Sequence, residues 1–308
     1  MSSEVFNWPD APLDIKRLVV KRMDYISRLN LKTCSKDSKH LTDTNPYIYQ
    51  KMELKHEEQW KHVKLIHDVG TEYYIDANDS TVVYNGNTVT MVHDSNYLDV
   101  AQQHLNEYIE KQRNSIDTLV LRMNTTFPDL TATKIRTLRI HCFDLSPEHL
   151  PTLQTFLNNI TSLSHVCIST SAYIQYFNAL SIAKTIYIPS CPLFDDQQLM
   201  NINAKLFDIF TYQITDQGIC QFLKQKMTRS EKCKFQIRRS ITNKEAILRC
   251  FRVEDLNDNM YILSLTDSDM KCVVIIEVDM YVRAEIIDKD DETTFKIGSD
   301  FMSLDDVQ

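Results

Sequence analysis

The chain has 308 residues, 43% of them apolar and 25% charged, with a net charge of −8. That profile fits a globular protein of one large or two ordinary domains and argues against general nucleic-acid binding. The only four glycines, Gly70, Gly86, Gly218 and Gly298, stand far apart, which excludes the P-loop, the GxGxxG dinucleotide turn and the GxSxG nucleophile elbow.

The first stretch, MSSEVFNWPD, has no apolar signal-peptide core. No apolar run is long enough to span a bilayer; VVII at 273–276 is typical. An intracellular chain, cytoplasmic or nuclear, with reduced thiols and no membrane contact is therefore expected. The sequons at Asn124 and Asn159 then carry no sugar. The eight cysteines include no CxxC pair, so no zinc site is expected.

Residues 6–46 read as three short helices. Pro12 suits a helix start, and Ile15, Leu18, Val19 and Met23 recur at helical spacing after it. Asp24 can cap a second helix carrying Tyr25, Ile26 and Leu29, and Ser35 a third that runs to Leu41; Asn45-Pro46 closes the block. Residues 14–39 carry eight basic side chains against Asp14, Asp24 and Asp37, a local charge of +5. This is either a solvated face or a patch steered toward an acidic partner.

Residues 47–114 are expected to hold a linker, a hairpin and a helix. In 47–70, His56, His62 and His67 match no metal-ligand spacing, and ordinary packed or solvated histidines are expected. TVVYNGNTVTMV (81–92) reads as a hairpin turning through Asn85-Gly86 as type I′. Residues 95–113 read as a helix with Leu98, Ala101, Leu105, Tyr108 and Ile109 on one stripe.

Residues 115–287 then repeat. Six strand cores share an apolar-x-apolar pattern: LVL at 119, LRI at 138, VCI at 166, IYI at 186, FDI at 207 and FQI at 235, spaced 19 to 28 residues apart. Helical stretches lie between most of them: 146–160 with a Ser146 cap, 194–204 and 215–227. The spacing predicts an α/β fold: an irregular, leucine-rich-repeat-like strand-helix solenoid behind the helical block. A single α/β domain with a partly parallel sheet is the alternative. NMYILSLT (259–266), KCVVIIEV (271–278) and MYVRAEII predict a C-terminal antiparallel cap, followed from residue 288 by an acidic tail expected to be disordered.

The opening block resembles an F-box. The residues that carry the likeness are Ala11-Pro12-Leu13, the helical spacing after them, Leu29 and Leu31, and the Cys34-Ser35-Lys36 step, which lacks the tryptophan usual in the family. The wording WPDAPLDIKRLVVKRMDYISRLNLKTCSKDSKHL is similar to nematode F-box proteins, in which an F-box precedes a repeat-like domain of the FTH or F-box-associated type. The resemblance implies a non-catalytic, cofactor-free subunit that docks the Skp adaptor, and through it a cullin, while the rest of the chain selects a protein for ubiquitination.

A block of about 40 residues cannot bury its apolar faces alone. Pro12, Leu13, Ile15, Leu18, Val19, Met23 and Leu29 are therefore candidates for the Skp-adaptor contact. The competing reading is an interaction scaffold whose first helices merely cap the solenoid. On the outward strand face, Arg122, Arg139, His141, Tyr187, Asp208, Gln236 and Arg238 are candidates for target binding. Ser, His, Asp and Glu are plentiful, yet no spacing among them selects a catalytic set.

Overall fold

The computed structural model describes residues 8–45, 47, 49–112, 115–123, 127–130, 133–142, 147–170, 178–191, 193–239, 243–257, 259–277 and 280–291. Pro46, Asn124, Ser146 and the tail from residue 292 lie outside them. A short 3-10 turn (Trp8–Asp10) leads into three helices: α1 (Leu13–Arg22), α2 (Tyr25–Cys34) and α3 (Lys36–Thr44). Pro12 is the residue just before α1, its φ of −54° already near helical. Asp24 accepts the Ser27 amide at 2.8 Å, and the Ser35 hydroxyl accepts the Ser38 amide at 3.1 Å, so both expected caps form.

Five strands follow: β1 (Lys51–Glu57), β2 (His62–His67), β3 (Gly70–Asp76), β4 (Ser80–Asn85) and β5 (Thr88–His93), then α4 (Tyr97–Lys111). The ladder comprises β6 (Ser115–Arg122), β7 (Thr133–Cys142), α5 (Leu150–Asn158), β8 (Ile160–Thr170), α6 (Asn178–Ile182), β9 (Thr185–Ser190), α7 (Asp196–Met200), β10 (Leu206–Phe210), α8 (Asp216–Thr228), β11 (Cys233–Arg238) and α9 (Lys244–Leu248). Four strands follow: β12 (Arg252–Asn257), β13 (Met260–Ser264), β14 (Met270–Glu277) and β15 (Tyr281–Asp288).

The fifteen strands of the described residues form one open sheet, in the order β12-β13-β14-β15-β11-β10-β9-β8-β7-β6-β1-β2-β3-β4-β5. Its centre, β1 and β6 to β11, is parallel; both wings are antiparallel meanders. The strand-helix ladder is thus the middle of a single mixed α/β sheet that is not closed. This matches the partly parallel alternative rather than a leucine-rich-repeat-like solenoid. The six triads stand side by side: Leu119, Leu138, Val166, Ile186, Phe207 and Phe235 pair across the ladder in register. Their apolar positions enter one core, which also holds Leu105 of α4, Phe156 of α5 and Phe222 of α8. The helices therefore cover one face, and the middle residues of the triads line the other.

Two local features depart from expectation. The β4–β5 hairpin turns through Gly86-Asn87, with Asn85 facing Thr88 and Gly86 at φ +58°. A positive φ at the first central residue only is type II′, one residue later than the Asn85-Gly86 reading. Asn85 stays in the strand, where its side chain bonds Glu72 at 2.7 Å. The acidic tail, read from residue 288, begins ordered: Asp288 ends β15, and Lys232 holds Asp288 at 2.5 Å and Asp291 at 3.0 Å.

Aspartates link successive helix starts. Asp196, the first residue of α7, accepts the amide (2.7 Å) and hydroxyl (2.6 Å) of Thr215, the cap of α8. Asp216, the first residue of α8, accepts the amide of Asn243, the cap of α9, at 3.1 Å. Gly218 makes room for this: a Cβ there would lie 2.0 Å from the Asp196 carboxylate. Glycine to alanine inside a helix ordinarily stabilises by about 0.5–1 kcal/mol. Here Gly218→Ala is expected to destabilise by about 1–2 kcal/mol, because Asp196 must swing off Thr215. In an Asp196→Ala background the same change is expected to stabilise. Urea unfolding of the four chains reads the sign reversal.

Candidate functional site

Helices α1 to α3 pack chiefly on one another, burying Val20, Ser38, Leu41 and Thr42. The large core begins at Tyr49 and contains no residue of these helices. On α1, Ile15, Leu18 and Val19 share an arc of about 100°, with buried Val20 roughly opposite. All three are exposed, as are Pro12 and Leu13; Met23 is half-buried. Helix α2 is also inverted. It buries Arg28 to 7% and exposes Leu29 and Ile26, the latter at 59%. Amphipathic helices in a finished globule bury the apolar stripe; these two present it to solvent. Ile26 belongs with the seven contact candidates, and its place one turn before Leu29 on the same stripe is the signal that marks it.

Beside the stripe, a cleft between α1 and α3 is lined by Trp8, Leu13, Lys16, His40 and Leu41. Of the basic residues, Lys32 pairs with Asp43 at 2.6 Å and Arg17 with Asp14 at 3.5 Å. Among the described residues, Lys21, Arg22, Lys36 and Lys39 form no ion pair. Covering the six exposed apolar side chains of α1 and α2 is worth about 1 kcal/mol each, since roughly half of each is already covered.

Arg28 ties this block to the body. It donates to the Met23 carbonyl at 3.1 Å and the Asn45 carbonyl at 2.6 Å, and lies 5.3 Å from the Tyr47 ring centre. Burial lowers its pKa from the free guanidinium value. Asp68 accepts the Gln50 and Lys51 amides at the start of β1, and the Tyr49 amide donates to the Gln112 side chain at 2.7 Å. Asn45, Tyr49, Gln50 and Lys51, between the two modules, are thus each held by a directional bond.

The second candidate site is the sheet face left free of helices among the described residues, the helix-free face. Val120, Arg139, Cys167, Tyr187, Asp208, Gln236 and Arg283 form one row across it. Arg122 pairs with Glu53 of β1 at 2.8 Å. Arg238 makes a two-pronged bond to Asp208, 3.0 and 3.1 Å, and lies 5.9 Å from the Tyr187 ring. Asp208 and Gln236 are buried, so they hold Arg238 and Arg283 in place rather than meet solvent; Gln236 accepts two bonds from Arg283, at 3.0 and 2.8 Å. Burial pushes the Asp208 carboxyl up, against the pull of Arg238. Burial and the charges of Arg122 and Arg139 lower the pKa of half-buried His141. Glu53 and Arg283 escaped the sequence reading because they come from the two wings, whose pairing with the ladder no spacing reveals.

The three early histidines separate. His56 meets the Tyr97 hydroxyl at 3.2 Å, His62 meets Glu57 at 3.0 Å, and His67 packs between Tyr49 and Tyr108. No group of three or more potential metal ligands exists among the described residues. None of their helices is long and apolar enough to cross a membrane.

This geometry defines a small helical interaction module joined to a one-sided α/β sheet. Residues 12–48 match the F-box domain, so that module is an F-box. F-box domains bind the Skp adaptor and thereby a cullin, and proteins that carry one are generally non-catalytic components of such ubiquitin ligases. The match suggests a substrate-adaptor role. No curated protein and no solved structure matches the chain significantly.

Proposed function

We propose that the chain is the substrate-recognition adaptor of a Skp-cullin-F-box ubiquitin ligase and works inside the cell, in the cytoplasm or nucleus, away from nucleic acid and membrane. The outward stripe of Ile15, Leu18, Val19, Ile26 and Leu29, with exposed Leu13 at the cleft beside it, docks the Skp adaptor. The helix-free face of the repeat-like F-box-associated domain, with Arg122, Arg139, His141, Tyr187 and Arg238, takes the target protein. The observation that carries this reading is the inverted amphipathicity of α1 and α2, which a terminal cap on the sheet would not need. The module's basic side chains supply long-range attraction toward an acidic adaptor. Ubiquitin transfer occurs elsewhere in such an assembly, so this chain contributes position rather than chemistry. Co-expression with the Skp adaptor is expected to yield a one-to-one complex through size-exclusion chromatography. Separate elution of the two chains at micromolar concentration would overturn the assignment.

A further inference from the structure

The sheet ends in two edges of opposite character. At one, β12 carries Arg252, Glu254 and Asp255, and its register slips between Asp255 and Asn257. Charges and bulges of this kind keep other strands from pairing. At the other edge, β5 reads Thr-Val-Thr-Met-Val-His, with no acid, no lysine or arginine, and no proline.

The hairpin fixes which backbone groups face outward. Asn85 and Thr88 flank the two-residue turn and so form a hydrogen-bonded pair. Alternation then leaves Tyr84–Val89, Val82–Met91 and Ser80–His93 as the pairs without mutual bonds. The N–H and C=O groups of Val89, Met91 and His93 therefore point away from β4, where the sheet has no further strand among the described residues. The side chains of these three lie on the helix-free face, beside Tyr84. Val89 is 61% and Met91 55% exposed. Just past the paired residues Ser80 and His93, exposed Asp79 and Asp94 sit at one end of the edge, and neither forms an ion pair among the described residues.

We infer that β5 is a docking edge for an extended segment of another protein, apolar at alternate positions and basic just before its first strand residue. The free backbone groups demand an extended chain. Exposed Val89 and Met91 favour apolar residues on the same face as their own side chains. Antiparallel addition, the arrangement throughout this wing, sets the N-terminal end of the added strand beside Asp79 and Asp94. That gives the basic flank its charge partner. A second copy of the chain lacks this complementarity, because two-fold pairing through Met91 lays Asp94 beside the uncharged tip Asn85-Gly86-Asn87. The inference is independent of the ligase reading and is tested on the full chain alone.

The probe is the decapeptide Lys-Lys-Ser-Val-Thr-Ile-Thr-Val-Ser-Gly, labelled at its C-terminus and followed by fluorescence anisotropy. It is expected to bind at least tenfold tighter than the same peptide with Glu-Glu at its start. Asp79→Asn with Asp94→Asn removes that difference and retains binding. Met91→Lys weakens binding at least tenfold, whereas Val253→Lys on β12 leaves it unchanged. N-methylation separates main-chain pairing from side-chain adhesion on the native protein. Methylating one alternate set of strand residues abolishes binding, and methylating the other set does not. Equal tolerance of both sets would overturn the inference. So would a concentration-dependent dimer of the peptide-free chain, seen by sedimentation and removed by Met91→Lys, since the edge would then belong to a second copy.

Discussion

Leu18→Asp combined with Ile26→Asp is expected to release the Skp adaptor while the chain melts within about 1 °C of the unaltered protein. Both side chains are exposed, at 49% and 59%, and touch no part of the core. Surface substitutions of this kind shift stability by only about 0.5 kcal/mol. In a docked complex each change removes an apolar contact and buries a carboxylate, about 2–3 kcal/mol apiece. Together they weaken binding by at least about a thousandfold. Val20→Asp makes the contrast: buried Val20 lies inside the helical block, so this change is expected to unfold that block and lose the adaptor indirectly. If α1 and α2 were only a cap on the sheet, the double variant would lower the melting temperature and leave binding untouched. Calorimetric titration with the adaptor and thermal unfolding of the isolated chain, run side by side, distinguish the two outcomes.

How far the sequence could be read depended on which face each residue served. The six triads were legible because each puts two apolar side chains into the core, and the in-register pairing of Leu119 with Leu138 through to Phe235 follows from that. The first meander was harder to read. In KMELKHE the buried apolar residues are Met52 and Leu54, while Lys51, Glu53, Lys55 and Glu57 point to the other side, and the segment reads as merely charged. A sheet covered on one face asks for apolar residues on that face alone. The helical block presents the converse problem. Periodicity finds the stripe of Ile15, Leu18 and Val19, but it cannot say whether the stripe looks inward. Buried Arg28 on α2 answers this, and its role depends on Asn45 and Tyr47, distant in sequence. The aspartate links between Asp196 and Thr215 and between Asp216 and Asn243 were invisible for a similar reason: each joins neighbouring repeats through a backbone amide, which no side-chain pattern encodes.

The largest single-site loss of stability is expected at Glu72. This carboxylate is 2% exposed beneath α4 and accepts bonds from the Tyr108 hydroxyl at 2.6 Å, the Asn85 amide at 2.7 Å and the Tyr74 hydroxyl. His104 and His67 stand at 3.8 and 3.9 Å. Burial alone would raise its pKa, but the nearby His104 and His67 imidazoles and the hydrogen bonds from Tyr108 and Tyr74 prevail and hold it well below the usual carboxylate range. Glu72 thereby joins β3, the end of β4 and α4 at one point. Glu72→Ala removes the acceptor shared by the buried Tyr74 hydroxyl, the half-buried Tyr108 hydroxyl and the Asn85 side-chain amide, and is expected to cost about 3–5 kcal/mol. Glu72→Gln keeps the shape and one acceptor, yet turns an NH2 group toward donors, and is expected to cost about half as much. The pH dependence follows from the sign of the shift. Because the folded pKa lies below the unfolded one, the carboxylate stabilises the fold above about pH 4.5, and the contribution fades as pH falls toward the folded value. Urea midpoints from pH 7 down to pH 3 are expected to fall for the native chain more steeply than for Glu72→Gln, so the two curves converge in acid. Parallel curves would show that Glu72 is not held ionised in the folded chain.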